Sequence, residues 1–408
     1  MAKGKIIIAS LFVLIISFFM YSIHNYSSLL ETNKRLVNFN NESCYRIEIK
    51  SNGPEDITEL NDDYLVTASG NTIEIWYHYN KPTEKVPNGH IILIPKTKSS
   101  ASSYSDKDLI YLEITNTPNI YSFHAHGLYV NNNKLYVLNH AYKSGGERLD
   151  VFNIDINNKK AVLIDSFIFP SELYGITNDI VVLDNKNDED SFFVTTWQLF
   201  PHTEHGPNKL LHFLNIFIIG ALRIEKTYVY SCSFKNRDCR ILEETKGLMN
   251  NSVTYNKNKS TLYVSDSILS TIKQYEVKPD LKNKGHNLLK YISQYKMDYM
   301  LDNIEYNEKT NKIYASLISR GGDYFKIADH VKKYKYFPAP SNTSFGASGS
   351  AEINLSLNIK DSKFTRYLNF NNKILGGSSG VVYDNKIYYG SWGDNAICVC
   401  DIITKLEK

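Results

Sequence analysis

A short phrase recurs along this chain and limits its fold more than any other feature. Residues 133–137, 259–264, 311–315 and 385–389 each run from polar turn residues into Leu135-Tyr136, Leu262-Tyr263, Ile313-Tyr314 or Ile387-Tyr388. Each copy is a turn feeding an apolar–aromatic strand, and each follows an upstream strand and turn. Repeated at intervals of tens of residues, such a phrase is the sequence pattern of propeller blades. The spacing is uneven, so some blades carry long loops. Other short apolar runs begin at Tyr64, Leu109 and Ile180. The 30 Tyr in 408 residues suit pleated, half-buried positions. A hydrophobic share of 42% is ample for a core and argues against disorder. A series of β-sandwiches is the alternative; it needs no link between the chain's extremes, whereas a ring must close on itself.

The charge pattern excludes one class of partner. The net charge is only +3, and Lys and Arg are scattered without a basic stripe, so no nucleic-acid binding is expected. At the N-terminus, Lys3 and Lys5 precede an apolar run from Ile6 to Met20, which reaches Ile23 with little loss of apolarity. That is close to the ~20 residues of a spanning helix. No small-x-small cleavage site follows, so the segment reads as a retained signal-anchor rather than a removed signal peptide. The positive flank places the body outside the cytoplasm, in the secretory pathway or beyond it. The expected organisation is an anchor at 1–23, a polar stalk at 24–43 and a β domain at 44–408. Sequons beginning at Asn250, Asn258, Asn342 and Asn354 are glycosylation candidates. Cys44 opens the folded region and Cys400 nearly closes it, so in an oxidising compartment they can staple the first strand to the last. Cys232 and Cys239 flank a short segment that suits a hairpin bridge. Cys398 is then odd, and either Cys398 or Cys400 can be a buried thiol. Residues 209–222 break the β pattern. They are too short to span, and fit a core strand, a buried helix or an outer helix that touches lipid.

Acidic and amide residues pair at strand-to-loop junctions: Glu55-Asp56, Asn178-Asp179, Asn250-Asn251 and Asp302-Asn303. Calcium takes six to eight oxygens from carboxylates, amides and carbonyls. Pairs so far apart can meet only if each sits at the same end of its own blade. Alone, each pair is an ordinary turn sequence.

In order, the segments 53–56, 123–127, 138–140, 178–181, 301–304 and 399–402 resemble the paraoxonase/arylesterase family, from about Cys44 to Ile402. The resemblance implies an all-β, six-bladed propeller with two calcium ions in its central tunnel. It implies that Glu55, Asn178, Asn251, Asp302 and Asn303 hold a catalytic ion. Asp56, Asp179 and the backbone carbonyl of Leu128 would hold a structural one. His126 and His140 match the family's histidine pair: His126 would activate water, and His140 would orient it or tune its basicity. Cys44 and Cys400 match its ring-closing disulfide, and 209–222 falls where the family has an amphipathic helix at the mouth of the site. Three departures stand out. Ala125 replaces a proline, Trp197 and Gln198 replace an Asp-His pair, and the stretch to Arg320 lacks a histidine.

Two functions compete. One is a calcium-dependent hydrolase of lactones or aryl esters. The other is a membrane-anchored assembly factor for a channel, with little hydrolytic activity. The departures favour the second and the histidine pair favours the first. A strictosidine-synthase or gluconolactonase type of propeller is disfavoured by the same Glu-Asp, His-Gly and Asn-Asp pairs.

Overall fold

The computed structural model describes residues 2–30, 43–77, 86–96, 105–142, 146–183, 191–201, 209–282, 285–318, 321–324, 327–334, 348–371 and 373–402. The chain is mostly β-sheet with an N-terminal apolar helix. Its strands follow one another as antiparallel four-stranded units. The first unit is β2 (Pro54–Glu59), β3 (Tyr64–Ser69), β4 (Ile91–Pro95) and β5 (Ile110–Thr115). The next is β6 (Ala125–Asn131), β7 (Lys134–Asn139), β8 (Arg148–Asp155) and β9 (Lys160–Ile168). A short parallel pairing of β5 with β9 joins these two into one eight-stranded sheet. The third unit is β10 (Thr177–Leu183), β11 (Ser191–Thr196), β12 (Thr227–Ser233) and β13 (Asp238–Gly247). The fourth is β14 (Asn250–Asn256), β15 (Thr261–Asp266), β16 (Thr271–Pro279) and β17 (Asn287–Lys296). The fifth is β18 (Met300–Asn307), β19 (Lys312–Ile318), β20 (Ser348–Asn354) and β21 (Lys363–Asn371). In the last, β22 (Gly377–Tyr383), β23 (Lys386–Ser391) and β24 (Ala396–Asp401) take β1 (Cys44–Glu48) as their outer strand.

The recurring phrase is the hairpin between the first two strands of a unit. Asn132 and Asn133 turn β6 into β7 with φ of +49° and +62°, and Asp384 and Asn385 turn β22 into β23 at +47° and +57°. Paired positive φ is what a two-residue hairpin needs, and Asn tolerates it best after Gly. Ser260 and Asn311 take the same left-handed region before β15 and β19. The first and third units lack the phrase, which explains the uneven spacing.

Adjacent units share apolar cores. Val66, Leu93, Val137 and Phe152 pack between the first and second. Leu149, Phe167, Ile180 and Phe192 fill the next interface, and Phe193, Val253 and Leu262 the one after. Tyr263, Ile304 and Ile353 lie between the fourth and fifth, and Tyr314 meets Ile387 between the fifth and sixth. Ile57 and Ile92 meet Tyr388 and Val399 between the last and the first. Each fully buried Leu, Ile or Phe contributes about 1.5–3 kcal/mol. The first strands β2, β6, β10, β14, β18 and β22 touch in that cyclic order, and β22 touches β2.

β1 pairs with β24 in register Cys44↔Cys400, and a disulfide joins those two residues. Arg46 adds a buried fork to Asp394, with N–O distances of 2.6 and 2.9 Å. A second disulfide, Cys232–Cys239, crosses β12 and β13. Cys398 stays outside both.

The N-terminal helix, α1, runs Ala2–Leu30, and Ser10–Ser28 is apolar and long enough to cross a membrane. It therefore continues seven residues past the expected anchor end at residue 23. Nothing in 24–30 breaks a helix, and Asn25 Nδ2 donates to the carbonyl of Ala221 at 2.9 Å. Residues 31–42, the rest of the expected stalk, lie outside the described residues. The segment 209–222 is helical rather than a strand: Lys209–Ile216 forms one helix, and Phe217–Ala221 continues it with wider turns. Leu210 is exposed, while Ile219 and Ala221 are buried.

Candidate functional site

Five inner strands carry the functional candidates at one recurrent defect. The pairing register slips between Pro54 and Ile57 in β2, Ala125 and Leu128 in β6, and Thr177 and Ile180 in β10. It slips again between Asn250 and Val253 in β14, and between Leu301 and Ile304 in β18. The residues inside these slips are Glu55-Asp56, His126-Gly127, Asn178-Asp179, Asn251-Ser252 and Asp302-Asn303. A bulge frees side chains from strict alternation and re-aims them. Here it turns polar side chains from successive strands toward one another. Gly127 is required at its bulge, because a Cβ there would lie 2.7 Å from Asp179 Oδ1.

The first expected ligand set comes together as a connected cluster. Asn303 Nδ2 donates to Glu55 Oε1 at 3.1 Å, and Asn178 Nδ2 meets His126 Nε2 at 3.1 Å. His126 Nε2 lies 3.7 Å from Glu55 Oε1. Glu55, Asn178, Asn251 and Asp302 line a cavity of about 40 Å³. Four oxygens of this set are buried without a hydrogen-bond partner: Glu55 Oε2, Asn178 Oδ1, Asn251 Oδ1 and Asn303 Oδ1. Unmet, each costs roughly 1–3 kcal/mol. Four in one cluster rival the whole stability of a domain, about 5–15 kcal/mol. Carboxylate and amide oxygens are hard ligands, so this donor set fits a calcium-like cation.

The second set is also assembled, but its oxygens are already engaged. Asp56 accepts from the amides of Ile57 and Leu128, both at 2.9 Å. Asp179 accepts from Ser252 Oγ at 2.6 Å, and from the amides of Val253 and Ile180 at 2.9 and 2.7 Å. It is the N–H of Leu128 that is seen against Asp56. Burial raises the carboxyls of Glu55 and Asp56 well above the usual range, and neighbouring carboxylates push in the same direction. Burial lifts Asp179 to about 6 and Glu305 to about 8. These groups repel one another when charged, which a cation would reverse.

The two histidines form a chain behind the cluster. His140 Nε2 lies 3.1 Å from His126 Nδ1, and His140 Nδ1 lies 2.6 Å from Glu147 Oε1, too bent for a straight hydrogen bond. Glu147 is fully buried. The chain's three tryptophans gather here as well. Trp76 stacks at 5.1 Å on His126, 5.7 Å on Trp197 and 6.3 Å on Trp392, and all three line the cavity.

No family model matches the chain, and no curated protein matches it. Among solved structures, the luciferin-regenerating enzyme superposes with a TM-score of 0.43 at 7% identity, covering 88% of this chain and 96% of that one. The nidogen/laminin complex gives 0.42 at 10% identity, covering 78% and 87%. A candidate 6-phosphogluconolactonase from Bacteroides fragilis gives 0.41 at 10% identity, covering 82% and 89%. Likenesses this distant carry no argument for activity.

Other candidates fall elsewhere. Asn250 is buried, and its amide donates to the carbonyls of Thr227 and Thr245 at 3.2 and 2.9 Å, leaving no room for a glycan. Asn258 and Asn354 are exposed, and Asn342 lies outside the described residues, as does Arg320. Gln198 spans from the carbonyl of Gly175 to Asn215 of the 209–216 helix, at 3.0 and 3.4 Å. Sequence reasoning missed Glu147, Glu305, Trp76 and Trp392. No local motif marks Glu147, whereas the scarcity of Trp beside 30 Tyr was a usable signal.

Proposed function

We propose that the chain is a six-bladed β-propeller hydrolase that cleaves carboxylic esters or lactones at a calcium ion in its centre. One observation carries this reading: three of the four partnerless buried oxygens belong to Glu55, Asn178 and Asn251, which line one cavity beside His126, and the fourth belongs to Asn303, hydrogen-bonded to Glu55. The cyclic contact of the six first strands supports the propeller. Glu55, Asn178, Asn251, Asp302 and Asn303 would hold the ion, and Asp56 and Asp179 a second one. A bound calcium supplies Lewis acidity toward a substrate carbonyl. The rest belongs to the chain. His126 Nε2 takes the proton of an attacking water. His140 holds the ring of His126 in place. Trp76, Trp197 and Trp392 wall the cavity and limit bulk water. With α1 as anchor and two disulfides, the domain would work outside the cytoplasm.

A second reading is the channel-assembly factor, a membrane protein's partner rather than an enzyme. The cavity favours it: 40 Å³ holds about three waters at ~10–15 Å³ each. The deciding experiment assays aliphatic lactones and phenyl acetate with calcium-loaded wild type and Glu55→Gln. Lactone turnover above the Glu55→Gln background supports the hydrolase. None, in a folded and calcium-loaded protein, supports the assembly factor.

A further inference from the structure

We infer that Glu147 is a positioning residue that sets the direction of hydrogen bonding through His140 and His126, so that the unprotonated nitrogen of His126 faces the cavity. Both ends of this hydrogen-bonded chain fix its polarity. Glu147 Oε2 accepts from the amide of Gly175, which can only donate, and Oε1 receives the hydroxyl of Thr177. Two donors on a fully buried carboxyl match its ionised form. At 2.6 Å, bent as the contact is, a bare lone pair on His140 Nδ1 would be repelled by the carboxylate oxygen of an ionised Glu147, so the proton of His140 sits on Nδ1. His140 Nε2 is then an acceptor, and the proton on His126 must sit on Nδ1, 3.1 Å from it. That leaves His126 Nε2 with its lone pair.

The opposite end demands the same polarity. Asn178 turns its Nδ2 toward His126 Nε2 at 3.1 Å, leaving Oδ1 without a partner. An amide whose oxygen serves a cation has only its NH₂ to offer the histidine. Carboxylate at one end and amide at the other therefore select one tautomer for each ring. Glu147 lies just before β8 and grips the start of β10, so one carboxylate also braces the bulge that presents Asn178. The family resemblance gives Glu147 no role, and no motif near it suggests one.

The consequence for rate rests on the hydrolase reading, but the tautomer does not, and the test separates them. Full-length protein in detergent, loaded with calcium and labelled with ¹⁵N-histidine, would be examined by NMR, with His126→Gln and His140→Gln providing assignments. The expected result is His126 and His140 both protonated on Nδ1 and unprotonated on Nε2. In Glu147→Gln, whose side-chain NH₂ can donate to His140 Nδ1, both rings should switch to the Nε2 tautomer. Turnover should fall roughly 10–100-fold, in the range of a lost supporting contact, with calcium affinity within a few-fold of wild type. A merely structural Glu147 would lower stability without switching the tautomers. Wild-type His126 protonated on Nε2 overturns the inference, and so does an unswitched tautomer in a folded Glu147→Gln. The wild-type spectrum needs no variant to fold. The expected tautomers in a protein without lactone turnover would uphold the inference and remove the hydrolase reading.

Discussion

His126 is where the proposed chemistry meets the fold. Its Nε2 reaches both Asn178 and Glu55, while its Nδ1 is taken by His140. His126→Gln should lower lactone turnover by ~10²–10⁴, the usual effect of losing a general base. Calcium affinity should change little, because the oxygens of the cluster stay in place. Equal turnover in wild type and variant would remove His126 from the mechanism. The carboxyls make a second prediction. Asp179 rises from 3.8 to about 6 and Glu305 from 4.5 to about 8. Without metal, the folded state thus binds more protons than the unfolded one between about pH 4 and about pH 8. Stability in chelator is greatest at the acid end of that window and falls as pH rises through the folded values. Calcium should flatten or reverse the slope. Melting temperatures from pH 4.5 to 8, in chelator and in calcium, would check it; a chelated protein that gains stability toward neutral pH would contradict it.

At the scale of elements, the bulged first strands decide what the site can be. The pairs Glu55-Asp56, Asn178-Asp179 and Asp302-Asn303 were legible in the sequence because their chemistry is local. That each sits in a register slip was not, since a slip depends on the partner strand. The same limit explains Glu147, whose partners Gly175 and Thr177 come from the next unit. It also explains the end of α1: hydropathy located the apolar run, but the contact of Asn25 with Ala221, 196 residues away, carries the helix further. β1 gives a test of how the ring closes. Its disulfide spans 356 residues, and removing such a link typically costs roughly 2–5 kcal/mol. A Cys44→Ser/Cys400→Ser protein should lose about that much in non-reducing denaturant titrations. Amide protection should drop at Tyr45 and Ile47 in β1 while β15 keeps its own. Unchanged protection in β1 would show that Arg46 and Asp394 hold it without the disulfide, and equal loss in β1 and β15 would contradict a local role in closure.

Across the whole molecule, distant strands meet at one cluster of buried oxygens that we propose holds a cation. The recurring hairpin phrase made a repeated β architecture legible, because turn chemistry and strand period are written in consecutive residues. The cyclic order of contacts among the first strands, and the gathering of three tryptophans at one cavity, join residues far apart in the chain and have no local signature. The tryptophans also supply the probe. Trp76, Trp197 and Trp392 all line the cavity, so each can sensitise a luminescent lanthanide bound there. Terbium, a calcium-sized hard cation, should give strong emission on tryptophan excitation of the chelator-treated, re-dialysed protein. Calcium should compete it away, and Glu55→Gln should abolish it while keeping the wild-type circular dichroism spectrum. A folded wild-type protein with no sensitised terbium emission, or a Glu55→Gln protein that matches wild type, would rule out the proposed cation site.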